Sequence, residues 1–205
     1  MTPEYWPQAK AHLANRDRVL RKVMKSHPDA QLNTRGDPFQ TLARSIVGQQ
    51  ISVKAAQSVW NRFAEAAGRM EPAIVIGIPD ERLRACGFSG QKVRYVKDLA
   101  RHFDEGLMKP RRWKRMEDEA VIEDLVRVKG VGRWSAEMFL LFYLMRPNIL
   151  PVGDLGLQRA MERAYNDGEA LTKDEMREIA KPWQPWSSVA TWYLWRSLDP
   201  VEVVY

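Results

Sequence analysis

The sequence predicts an all-α fold, and three observations carry that prediction. Apolar residues recur three or four apart in nearly every segment, which is the spacing that puts them on one face of a helix. Alternation of the kind that builds half-buried strands is scarce. Proline and glycine punctuate the chain at short intervals, at Asp37-Pro38, Pro79, Gly87 to Gly90, Gly130 to Gly132, Pro147 and Pro151, so the helices must be short.

Each element follows from the same reading. Between Phe39 and Phe63 the apolar stripe runs Leu42, Ile46, then Val53, Ala56, Val59, Trp60 and Phe63. A helix over Gln91 to Phe103 carries Val93, Val96, Leu99 and Ala100. Further helices are expected over Val121 to Val128, Ala136 to Met145, Leu155 to Tyr165 and Val189 to Leu198. Ala73 to Ile78 fits either a strand or a helical turn. The basic cluster from Lys109 to Arg115 reads as a solvated loop or short helix. The total is about ten short helices, with no internal repeat and no low-complexity tract.

Composition narrows the class of function. The 205 residues suffice for one good core or two small lobes, and 45% apolar with 28% charged residues marks a folded chain. A net charge of +6 makes a polyanion a plausible partner. The single cysteine, Cys86, excludes an internal disulfide framework, a cysteine-rich zinc site and a four-cysteine iron–sulfur cluster, and reads as an inert, half-buried thiol. His12, His27 and His102 show no metal-ligand spacing. The N-terminus lacks the apolar core of a signal peptide, and the apolar run from Met138 to Met145 is too short to span a bilayer. An intracellular protein without membrane contact is expected.

The most informative segment is LVRVKGVGRWSAEMFLLFYL, Leu125 to Leu144. A helix ends near Val128, Gly130-Val131-Gly132 turns the chain, and a second helix starts at Arg133 or Trp134. Two glycines around one apolar residue permit a tight turn that leaves backbone N–H groups at a helix N-terminus. With Lys129 and Arg133 beside them, such donors suit a phosphate without reading a base. An ordinary glycine-capped connector has the same local pattern.

The segments around it decide between the two. The hairpin resembles the helix-hairpin-helix of the base-excision DNA glycosylase superfamily, and ILPVGDLGLQRAM, Ile149 to Met161, resembles the loop that carries that family's catalytic aspartate. Three other stretches are similar to the 3-methyladenine DNA glycosylase II branch: ARSIVGQQISVKAA from Ala43, LRACGFSGQKVRYVKDLA from Leu83 and WQPWSSVATWYLWR from Trp183. The likeness runs from about Pro38 to Arg196. The first motif comes early in the sequence, so the β-rich N-terminal domain that some members of the branch carry is not expected.

The resemblance implies a role for each matching residue. Asp154, by itself an N-cap, becomes the catalytic carboxylate, because glycosidic cleavage builds positive charge on the sugar and a helix N-terminus favours a negative group. Trp134 stands where lyases of the superfamily carry a nucleophilic lysine, so water is the expected nucleophile. Trp134, Met138 and Trp195 are implied to line the base pocket, where an indole face favours a positively charged alkylated base. The family often has an aromatic residue at Met138, which leaves the range of substrates open. Gln50 matches the wedge that fills the gap left by a flipped base, and Ser52 a neighbouring groove contact. Lys129, Gly130, Val131, Gly132 and Arg133 match the DNA-backbone face. Carbonyls of Val126, Val128 and Val131 match a monovalent-cation site that forms with DNA; no other metal and no cofactor is expected. Gly87 to Gln91 reads as a connector into a basic helix bearing Lys92, Arg94 and Lys97, with a phosphate contact as the alternative.

The expected architecture is two helical lobes with a cleft between them. Residues 38–147 form one lobe, with the wedge turn and the hairpin; 1–37 with 148–205 form the second, with Asp154. The implied protein is a monofunctional DNA glycosylase of base excision repair, monomeric, acting on damaged double-stranded DNA in the nucleoid of a prokaryote or in a nucleus. The alternatives are a glycosylase for other damaged purines, a bifunctional lyase, and a helix-hairpin-helix protein that binds DNA without catalysis.

Overall fold

The computed structural model describes residues 2–34 and 36–198, with Val53 described by its backbone only. The side chain of Val53, placed above in the apolar stripe, and the last residues assigned to the second lobe, 199–205, lie outside the described residues. No strand occurs among the described residues, and no helix there is long and apolar enough to cross a membrane.

In chain order the helices are α1 (Trp6–Arg16), α2 (Arg18–Ser26), α3 (Pro38–Gly48), α4 (Val53–Ala67), α5 (Pro72–Gly77), α6 (Asp80–Ala85), α7 (Gly90–Asp104), α8 (Pro110–Trp113), α9 (Asp118–Leu125), α10 (Arg133–Phe142), α11 (Leu155–Tyr165), α12 (Lys173–Ala180), the 3₁₀ turn η1 (Lys181–Trp183) and α13 (Ser187–Leu198). The segment left open between strand and helix is α5, entered through Pro72 at its first turn, where a missing N–H costs nothing. The basic cluster contains α8, whose Trp113 is fully buried, so one aromatic anchors an otherwise solvated segment. Helix α9 stops at Leu125, earlier than the periodicity suggested. The N–H of Val128 bonds the carbonyl of Leu125 at 3.1 Å, which tightens the chain out of α geometry before the hairpin.

The chain forms two compact units, with 2–34 and 140–198 in one and 36–139 in the other. The second division falls inside α10, after Phe139, where the sequence offers no punctuation; Pro147 comes later.

In the first unit α13 packs on α1, α2 and α11. Every α13 residue from Ser187 to Arg196 is buried, as expected of a helix with apolar residues on all sides. Asp17 ties distant parts of the unit together. Its Oδ1 caps α2 by accepting from the N–H groups of Val19 and Leu20, and its Oδ2 accepts from Tyr165 Oη and Trp183 Nε1, both at 2.8 Å. Burial and the Asp17 carboxylate push the Tyr165 phenol well above the ordinary tyrosine range.

In the second unit α3 packs on α4 and α7, and α5 and α6 pack on α7. A chain of edge-to-face aromatic contacts, Phe39–Phe103–Trp113–Phe139, links α3, α7, α8 and α10. Trp113 Nε1 donates to Asp124 at 2.7 Å, so the buried indole keeps a polar partner. Cys86 is more buried than expected, at 6% exposure, and burial pushes its thiol up, in keeping with an inert group.

Candidate functional site

In the first unit, the side chains with the clearest chemistry converge on Asp154. The residue is the N-cap of α11, with extended backbone (φ −81°, ψ 120°), and only 5% of its surface is exposed. Its Oδ1 accepts from the backbone N–H of Leu157 at 2.7 Å and from Trp195 Nε1 at 2.8 Å. Two donors on one oxygen fix the plane of the carboxyl group, and the N-terminus of α11 adds its dipole. The loop before it is held as firmly. Ser188, in the first turn of α13, donates from its hydroxyl to the Arg146 carbonyl and accepts from the N–H of Ile149. Its own N–H bonds the Pro147 carbonyl at 3.0 Å. One helix therefore sets both the approach of the loop, through Ser188, and the orientation of its carboxylate, through Trp195.

Trp195 is 4% exposed and stacks on Phe142, with ring centroids 5.9 Å apart and planes 13° from parallel. Gly156 completes the arrangement. A Cβ there would lie 3.0 Å from Asp154 Oδ1 and 3.3 Å from the nearest Trp195 ring atoms, so this position has to be small. The sequence points to Trp195 through the resemblance but carries no sign of its bond to Asp154. Phe142 sits in an apolar run and Gly156 in an ordinary helix turn, so neither carries a local signal of its place beside Asp154 and Trp195.

In the second unit, Gln49 and Gln50 of the turn after α3 and the hairpin line one groove of about 460 Å³. Gln50 stands at the apex, exposed and with φ +59°, a conformation that costs a non-glycine residue on the order of 1 kcal/mol. Ser52 caps α4 by accepting from the N–H of Ala55 at 3.3 Å. Gln49 turns the other way: its Nε2 donates to the Gly130 carbonyl at 2.7 Å and lies 3.4 Å from Ser135 Oγ.

In the hairpin itself, Gly130 has φ +85°, and a Cβ there would fall 2.1 Å from the ring of Tyr95. Both the backbone conformation and the close approach require glycine. Val131 is buried between exposed Gly132 and half-buried Gly130. Of the phosphate donors expected here, two are engaged inside the protein. The N–H of Lys129 bonds Asp98 Oδ2 at 2.9 Å, while the Lys129 side chain is exposed. Arg133 holds Glu119 through both terminal nitrogens and Glu137 through Nε at 3.2 Å. That pairing lowers the Glu119 carboxyl below its ordinary range and raises the guanidinium. The carbonyl of Val128, one of the three expected to face a cation, already accepts from the N–H of Val131 at 3.0 Å.

Trp134 is half-buried and Met138 buried, four residues apart and so on one face of α10. Lys92 and Lys97 do not present free cations to solvent. Lys92 donates to the carbonyls of Val47 and Gln49, and Lys97 pairs with Asp80.

Residues 43–185 match the family model described as the HhH-GPD superfamily base excision DNA repair protein, and the chain belongs to that superfamily. It is 29% identical over 198 residues to DNA-3-methyladenine glycosylase 1 of Schizosaccharomyces pombe, covering 93% of this chain and 86% of the relative. A crystal structure of DNA-3-methyladenine glycosidase from Bacillus halodurans superposes with a TM-score of 0.80 at 34% identity, over 97% of this chain and 92% of that one. The S. pombe enzyme in complex with abasic DNA gives a TM-score of 0.83 at 28% identity, over 97% and 99%. Other curated relatives are longer: the chain spans 66% and 57% of two from Bacillus subtilis.

Proposed function

We propose that the protein is a monofunctional DNA glycosylase of base excision repair that hydrolyses the N-glycosidic bond of alkylated purines, of the 3-methyladenine type, in damaged duplex DNA. The observation that carries this reading is the buried Asp154, held by the α11 N-terminus and by Trp195, within a chain that belongs to the superfamily. Relatives named as 3-methyladenine glycosylases at 28–34% identity support the substrate class.

In this reading the bond between C1′ of the deoxyribose and the base breaks, and its electron pair leaves with the base. An alkylated purine already carries positive charge, so it departs as a neutral molecule and needs little help from an acid. Positive charge builds on C1′ and the ring oxygen. Asp154 faces that charge with a carboxylate whose orientation is fixed in advance, so no reorganisation is needed as the transition state forms. Water adds to C1′, and Asp154 orients it and takes up its proton. Trp134 occupies the position where a lysine would attack covalently, and an indole cannot, so the product is an abasic site with an unbroken strand.

We assign Trp134, Met138 and Trp195 to the pocket that receives the flipped base, Gln50 to the wedge and Ser52 to a groove contact. Residues 129–133 are assigned to the DNA backbone, with the exposed Lys129 as the charged member and Arg133 joining when it leaves Glu119. A cation on the carbonyls of Val126, Val128 and Val131 would share the Val128 oxygen with the N–H of Val131. The protein is expected to act as a monomer.

The test is direct. The protein is incubated with methylated duplex DNA, and the released bases are separated and identified. Release of methylated purines, with strands nicked only after alkali, is expected. Nicking without alkali would assign a lyase, and release of no base would leave a DNA-binding protein.

A further inference from the structure

One face of α7 holds both of the DNA-facing loops of the second unit. Lys92, Tyr95 and Asp98 follow one another at intervals of three along this helix and so share a side. Lys92 Nζ donates to the carbonyls of Val47 and Gln49, each at 2.7 Å, where α3 ends and the wedge turn begins. The Val47 carbonyl lies in the last turn of α3 and that of Gln49 just past its end, where helix carbonyls lack intrahelical partners and a cation suits the negative helix end. The ring of Tyr95 lies against Gly130, close enough that no side chain fits between them. Asp98 accepts from the N–H of Lys129 at the entry to the hairpin, and is backed by His102 Nδ1 at 3.6 Å. Gln49 closes the circuit by donating from the wedge turn to the Gly130 carbonyl. Burial lowers the Lys92 ammonium below the ordinary lysine range, a cost that an exposed lysine would not bear.

We propose that α7 is a splint that fixes the wedge turn relative to the hairpin, with Lys92 and Gln49 as positioning residues for Gln50. A wedge acts only if it meets the duplex at the moment the hairpin grips the phosphates. A turn strained at Gln50 would relax away from that register if the carbonyls at its base were released. The splint rests on the assignment of Gln50 and the hairpin to DNA made above. It adds that neither loop works at its own position without the other.

The experiment uses Lys92→Met, which keeps the length of the side chain and removes its donors, and Gln49→Leu, which removes the bond to Gly130 and the longer one to Ser135. The reporter is 2-aminopurine placed beside a methylated purine in a duplex; its fluorescence rises when stacking is lost. Both variants are expected to bind the duplex within about threefold of the parent while unstacking it at least tenfold more slowly. The ratio of excision from duplex to excision from single-stranded DNA, where no gap needs filling, should fall by a similar factor. Lys92→Arg, which retains two donors for the carbonyls, should keep most of the parental rate.

Folded variants that unstack the duplex at the parental rate would overturn the proposal. So would equal losses on duplex and single strand, the mark of a merely structural role. If Lys92→Met does not fold, Gln49→Leu carries the same comparison. If the parent releases no base at all, the reading of Asp154 fails, but the fluorescence comparison needs no bond cleavage and still decides the splint.

Discussion

Trp195 Nε1 and Leu157 N–H meet on a single oxygen of Asp154, the indole at 2.8 Å and the backbone at 2.7 Å. The indole fixes the direction of the carboxylate, and the stack on Phe142 fixes the indole. Trp195→Phe keeps an aromatic ring against Phe142 but removes the donor. Excision is expected to fall about tenfold to a hundredfold with little change in KM, because orientation matters chiefly in the transition state. Single-turnover kinetics on methylated duplex measure this.

Gly156 makes room for that bond. In Gly156→Ala the new Cβ would crowd Asp154 Oδ1 at 3.0 Å and the indole edge at 3.3 Å, both inside ordinary contact distance. The helix itself gains from alanine by up to about 1 kcal/mol. Thermal stability should therefore hold or drop slightly while excision falls at least tenfold, a separation that paired melting and activity measurements reveal.

Gly130→Ala should behave oppositely, with stability lost first. Its φ of +85° disfavours a side chain, and the ring of Tyr95 occupies the space at 2.1 Å. A loss of more than about 2 kcal/mol in urea unfolding is expected. Adding Tyr95→Ala should recover the part due to the ring and leave the part due to the backbone.

Glu119 competes for the hairpin arginine. In Glu119→Gln, the terminal nitrogens of Arg133 are released toward phosphate while its Nε keeps Glu137. Affinity for undamaged duplex should rise by roughly threefold, with a salt slope steeper by about one unit. The pair also predicts a pH effect. Glu119 titrates below its ordinary 4.5 in the folded state, so its contribution is complete above that value and is lost as pH falls through the lowered one. Both partners are more than half exposed, so the difference between parent and variant should not exceed about 0.5 kcal/mol at pH 7. It should shrink in urea titrations as pH falls through the lowered value.

Much of this was legible in the sequence. Periodicity located the long helices, because short-range spacing sets them, and the resemblance of the ordered motifs to the superfamily singled out Asp154, Trp134 and the hairpin as candidates. The contacts that position these residues were not legible. Lys92 and Asp98 look like solvated charges on a basic helix, and only the tertiary fold turns them toward the wedge turn and the hairpin. Arg133 reads as a phosphate ligand, but Glu119, 14 residues back on the preceding helix, holds it. Trp195 and Asp154 lie 41 residues apart, and no local pattern announces a hydrogen bond across that distance. The division of the chain inside α10 likewise leaves no mark, since a helix can continue across it without a break.

If Asp154 performs chemistry beyond its work as a cap, Asp154→Asn separates the two roles. Asparagine caps a helix as well as aspartate does, and its side-chain oxygen can still accept from Leu157 and Trp195. The variant should stay within about 1 kcal/mol of the parent in stability, bind methylated duplex, and release methylated purines slower by orders of magnitude. Release at a near-parental rate would return Asp154 to a purely structural role.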